Sequence, residues 1–75
     1  MAKLEVIFGQ VIRRRREKTG ISQEAFAAKA GIHRTYASAV ERGVVQVSIG
    51  VAMKLATALD TPLSRIWKDV EDELN

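Results

Sequence analysis

Ser22 to Gly43, SQEAFAAKAGIHRTYASAVERG, restricts the fold of this chain more than any other stretch. Ser22 is a good N-cap, because its side-chain oxygen can accept from an amide of the first helical turn. Gln23 and Glu24 follow as strong helix formers, with the negative charge at the favoured end. Phe26, Ala27 and Ala30 then fall on one face, and Gly31 supplies the permissive backbone that ends a helix. A second helix is expected from His33 or Arg34 to Gly43, with Ala37 and Val40 turned inward and Ile32 plugging the turn. Two helices crossing steeply need a short side chain at the contact, which explains Ala27. The pattern is a helix-turn-helix, with Arg34, Thr35, Tyr36 and Ser38 free to face outward.

The flanks complete a five-helix reading. Val6 to Lys18 reads as a first helix with a core stripe of Phe8, Val11 and Ile12. Its four consecutive arginines, Arg13 to Arg16, cannot all point one way, since neighbours on a helix differ by about 100°. Thr19 and Gly20 end it. Ser48 caps a fourth helix that runs to about Leu59. Ile49, Ala52, Met53, Leu55, Ala56 and Leu59 are too many for a narrow stripe, so burial on much of its circumference is expected, with Met53 as core filler. Asp60-Thr61-Pro62 reads as the last turn, threonine as cap and proline at the first helical position. A fifth helix from Pro62 towards Glu73 carries Leu63, Ile66, Trp67, Val70 and Leu74 at helical spacing, a longer stripe than so small a domain needs.

Gln23, Ala27, Gly31, Ala37 and Val40 stand at the spacing for helix start, crossing, turn and inward packing that marks Cro/C1-type (XRE-like) helix-turn-helix regulators. The chain resembles that family. Upstream Phe8, Ile12, Arg13 and Arg16, and downstream Ser48, Leu55, Ala56, Leu59, Leu63 and Ile66, extend the resemblance over nearly the whole chain. Within the family, IHRTYASAVERG is most similar to the small controller proteins of restriction-modification systems. The resemblance implies an all-α, compact five-helix, lambda-repressor-like domain, with the helix-turn-helix at its second and third helices. It also implies double-stranded DNA as partner and a homodimer on a palindromic operator, with RNA polymerase a further possible partner.

Site expectations follow from laying the second helix of the motif in a major groove. Arg34, Thr35 and Ser38 then meet base edges, with Arg34 foremost because arginine can bond a guanine edge twice. Tyr36 either brings its hydroxyl to DNA or lies at the edge of the core. Gln23 at a helix start is a phosphate contact, as are Arg13, Ser48 and Gln46. Arg42 is either a phosphate contact or a cation complementing the helix C-terminus. In the family, an arginine at the position of Arg16 is often bonded to the glutamate matching Glu41, and a structural role is expected here too. Another of the four arginines is expected to pair with an acid such as Glu17, Glu41 or Asp60. Val44 to Val47 departs from the family's polar, basic loop. That favours burial of Val47 and leaves Val44 and Val45 either packed or at an oligomer interface. The surplus stripe of residues 62–74 suggests a dimerisation helix through Leu63, Ile66, Trp67 and Val70, with Trp67 and Val70 near its centre. Trp67 closing the core is the alternative.

Composition agrees with these expectations. A chain of 75 residues, 47% hydrophobic, is a single small domain near the lower size limit for an independent core. Residues 1–43 carry nine Lys or Arg against four Asp or Glu, whereas residues 44–75 carry three against five. The basic half contains the helix-turn-helix, which suits a polyanion. There is no cysteine, and Leu4 to Phe8 is too short and interrupted for a signal peptide or membrane span, so a cytoplasmic location is expected. His33 is the single histidine, expected to be a cap or surface group, and no cofactor or metal set is evident. The acidic run Asp69, Glu71, Asp72, Glu73 lacks a pocket and reads as a solvated face. No constellation suits catalysis. An antitoxin-like subunit that binds a protein partner and uses its helix-turn-helix for autoregulation is the rival reading.

Overall fold

The computed structural model describes residues 3–75, an all-α arrangement of α1 (Lys3–Thr19), α2 (Gln23–Ala30), α3 (Arg34–Arg42), α4 (Ile49–Ala58) and α5 (Leu63–Leu74). α1 starts three residues before the expected Val6, because Leu4 and Glu5 are good helix formers and Glu5 places its charge in the first turn. One core runs through all five helices: Phe8, Val11 and Ile12 of α1, Phe26 of α2, Val40 of α3, Leu55 of α4, and Ile66 and Val70 of α5. Among the described residues, no helix is long and apolar enough to cross a membrane.

α1 lies against α3 so closely that the backbones meet. A Cβ on Gly9 would stand 2.8 Å from the carbonyl oxygen of Glu41 and closer still to that of Val40. At the end of α3, Gly43 takes φ 72°, and a Cβ there would come within 2.6 Å of the Val6 Cα. Only hydrogen fits at either crossing. The same junction holds the one buried charged side chain among the described residues, Glu41. Arg16 reaches it from α1, its Nε donating to Oε2 at 2.7 Å and its Nη2 to Oε1 at 3.0 Å. A third donor, Arg16 Nη1, meets the Ile21 carbonyl at 3.1 Å, and Gln23 Nε2 donates to Glu41 Oε1 at 3.1 Å. The carboxylate thus bonds to α1 and to the start of α2, and its hydrogen bonds raise the Arg16 pKa above its ordinary value. Arg16 therefore has the structural role expected of it.

Every arginine of the α1 run is paired. Arg13 takes Glu17 at 3.2 Å, whereas Arg14 and Arg15 reach across to Glu73 and Asp69 of α5. Asp60 is not among the partners. The acidic end of the chain is therefore only partly the solvated face expected of it: Asp69 and Glu73 fasten α5 to α1. The Arg14 hydrogen bond holds the Glu73 carboxyl below its ordinary pKa.

α4 and α5 depart further from expectation. Ile49 is 80% exposed and Met53 is 51% exposed, so Met53 is not core filler and α4 buries one side only, through Ala52, Leu55, Ala56 and Ala58. Three alanines and Leu55 make up that inward side, while Ile49 and Met53 are left outside. At the last turn, Thr61 does not cap: its hydroxyl donates back to the Leu59 carbonyl at 3.0 Å, and Asp60 turns the chain with φ 55°. Pro62 occupies the cap position with no side-chain bond, and α5 begins one residue later.

Two measurements test this arrangement. Removing one member of a buried ion pair leaves the other unneutralised at a cost of about 3–5 kcal/mol, so Glu41→Ala should lower the melting temperature by on the order of 15 °C. Glu17→Ala, which removes an exposed pair, should shift it by a few degrees at most. Alanine is the better helix former by about 1 kcal/mol, yet Gly9→Ala should destabilise by at least roughly 2 kcal/mol in urea titration, because it pushes α1 off α3. An unchanged midpoint would mean the two backbones can separate without loss.

Candidate nucleic-acid interface

The helix-turn-helix is built from local hydrogen bonds. Ser22 Oγ accepts from the Ala25 amide at 3.1 Å and starts α2. Gly31, at φ 73°, ends it, and the Ile32 amide closes on the Ala27 carbonyl at 3.0 Å. His33 then caps α3, its Nδ1 accepting from the Thr35 amide at 3.0 Å. Of the two roles expected of it, cap or surface group, the histidine fills both, since it caps α3 and stays exposed. Ala27, at 1% exposure, sits inside the crossing as its size suggested.

α3 has two clear sides. Ala37, Val40 and Glu41 are buried, and Ile32 and Tyr36 pack against the core without being enclosed. Arg34 and Thr35 are exposed, and Ser38 and Ala39 are half-buried beside them. The four expected base readers are therefore on one helix, but not equally free: Arg34 and Thr35 lead, Ser38 is partly shielded, and the Tyr36 ring belongs to the edge of the core. Arg34 is also engaged, its Nη1 donating to Glu24 Oε2 of α2 at 3.2 Å.

The expected phosphate contacts are scattered. Gln23 stands at the start of α2, but its amide group is held by Glu41, which leaves the first-turn backbone amides as the outward donors there. Arg13 is exposed beside Glu17, and Arg42 is exposed with no ion pair among the described residues. Ser48 caps α4, its Oγ accepting from the Val51 amide at 3.1 Å, which leaves its hydroxyl hydrogen available. Gln46 is exposed in the α3–α4 loop. In that loop Val45 and Val47 pack against the core and Val44 stays exposed, so the expected burial of Val47 holds in part.

The dimer residues need correction. Ile66 and Val70 are 0% exposed within a single chain, so their side chains offer no surface to a second copy. Leu63 packs against the core, whereas Trp67 remains 36% exposed with its ring centroid 5.3 Å from that of Phe8. The apolar surface lies beside α5: Leu4, Phe8, Val47, Ile49, Ala52 and Trp67 line an open groove, and Met53 continues it one turn along α4. Glu5 stands in the groove wall with Oε1 buried and unbonded among the described residues. Sequence reasoning missed this surface; the spacing of Ile49 and Met53, four apart and offset from Ala52 and Ala56, was its only signal.

Residues 12–66 match the helix-turn-helix family. The chain is 38% identical over 74 residues to control protein C.MunI of a Mycoplasma species, covering 97% of this chain and 100% of that protein. The crystal structure of the restriction-modification controller protein C.AhdI from Aeromonas hydrophila superposes with a TM-score of 0.79 at 44% identity, covering 81% of this chain and 88% of that one. The controller protein C.Esp1396I, solved as a tetramer with its natural 35 base-pair operator, is 25% identical and gives a TM-score of 0.90, covering 97% of this chain and 96% of that one. With a fold, a motif and relatives that agree, the chain belongs to the Cro/C1-type helix-turn-helix family, among the control proteins of restriction-modification systems.

Proposed function

We propose that this protein is a cytoplasmic, sequence-specific regulator of transcription that binds double-stranded DNA as a homodimer and controls a restriction-modification operon. The observation that carries the reading is the exposed start of α3, where Arg34 and Thr35 project from a helix whose opposite side is locked into the core. A helix so presented fits a major groove, and two copies related by a two-fold axis read half-sites about one helical turn apart. The operator complex of C.Esp1396I supports the choice of partner.

The dimer face follows from the exposed apolar groove. Ile49, Met53 and Trp67, with Leu4, form an unpartnered patch on a chain that is small for an independent core. Burying it against a second copy gives Trp67 the anchoring role expected of α5 and transfers the role expected of Ile66 and Val70 to Ile49 and Met53. Binding energy in such interfaces concentrates in a few apolar and aromatic anchors.

Selection from a random duplex library should enrich an inverted repeat, and Arg34→Ala should relax the preference at one base pair per half-site by roughly 5- to 100-fold. If no site is enriched, the protein-binding, antitoxin-like reading moves ahead. Sedimentation of the free protein should show a dimer, and Ile49→Glu should weaken it at least about tenfold while leaving the helical circular dichroism intact, because Ile49 is exposed in the single chain. A dimer unaffected by that charge would place the interface elsewhere.

A further inference from the structure

Glu24 is out of place on a surface meant for DNA. It is the second residue of α2, exposed, and held to the side of the helix-turn-helix from which Arg34 projects. A carboxylate near the phosphate backbone opposes binding, and its favourable interaction with the start of α2 is available from an acid that does not touch a reader. What distinguishes Glu24 is its contact: Oε2 accepts from Arg34 Nη1 at 3.2 Å, joining α2 to the first residue of α3 across the turn. Both side chains are largely exposed, 63% for Arg34 and 75% for Glu24.

We infer that Glu24 is a specificity-determining residue that positions Arg34 and restrains it from phosphates; the inference rests on the DNA-binding reading above. A guanidinium has five N–H donors, and Glu24 takes one. Those that remain can still make the pair of hydrogen bonds that a guanine edge accepts. A phosphate contact is different in kind, since it draws on net charge, and the carboxylate beside Arg34 cancels much of that charge. Glu24 therefore lowers affinity for any duplex through its phosphates more than it lowers affinity for the duplex that offers guanine in register. The ratio of specific to non-specific binding rises as a result.

The test compares wild type, Glu24→Gln, Arg34→Ala and the double variant on the selected operator duplex and on a scrambled duplex of equal length, over a range of salt. Glu24→Gln should tighten scrambled-duplex binding roughly fivefold, change operator binding by less than about twofold, and steepen the salt dependence of scrambled binding by about 0.9, the value of one added phosphate contact. In the Arg34→Ala background the same substitution should leave the ratio of the two affinities unchanged. Equal effects of Glu24→Gln on both duplexes, or an effect on the ratio that persists without Arg34, would overturn the pairing and leave only general repulsion or helix capping. A wild-type protein that fails to separate the two duplexes would overturn the DNA-binding reading itself, and this inference with it.

Discussion

The Arg16–Glu41 pair is the interaction on which the rest of the arrangement depends. A carboxylate with a side chain 3% exposed is tolerable only when its oxygens are satisfied, and here three donors from two side chains meet them. Those donors come from α1 and α2 while the acceptor belongs to α3. One buried charge thus ties together α1, α2 and α3, the scaffold helix and both helices of the motif. The fixed fork of arginine makes the tie directional, which an apolar contact of the same size would not.

Around that tie the molecule separates its tasks by face. The inward side of α3 is committed to packing while its start is exposed, and the outward side of α4 leaves Ile49 and Met53 uncovered; on the proposed function these are the faces for DNA and for a second copy. The arginine run of α1, which on charge alone looks like a DNA-binding stripe, is instead spent on intramolecular pairs. Arg14 and Arg15 hold the C-terminal helix, Arg16 holds Glu41, and Arg13 pairs only within its own helix, with Glu17. The excess of positive charge in the first half of the chain is therefore more dispersed in its use than its position in the sequence suggests.

What was legible in the sequence was local. Ser22, Gly31, Gly43 and Ser48 act through their own turn, so helix ends could be placed from residue type and spacing, whereas His33 was left between a cap and a surface group. The Arg16–Glu41 pair came from resemblance, since nothing in spacing alone selects Glu41 over Glu17. Hydropathy failed at Ile49, Met53, Ile66 and Val70 for a common reason. It says that a side chain avoids water, not whether its own chain or a copy of it provides the cover. Asp69 and Glu73 misled in the opposite sense, because an acid near a chain end looks solvated until the fold brings arginines to it. Gly9 carried no legible signal, a glycine inside a helix reading only as a weak helix former.

Gly9 and Gly43 together make α1 and α3 touch backbone to backbone, so the pose of the recognition helix owes little to its outward side chains. Arg34 and Thr35, exposed at the start of α3, take no part in that backbone junction. On the proposed function, a lineage carrying this junction retunes the sequence it reads by substituting at the helix start, each trial inheriting an aim already set. Recognition can then drift from one operator to another while the scaffold stays constant, and two such regulators in one cell can be kept apart by a few surface side chains.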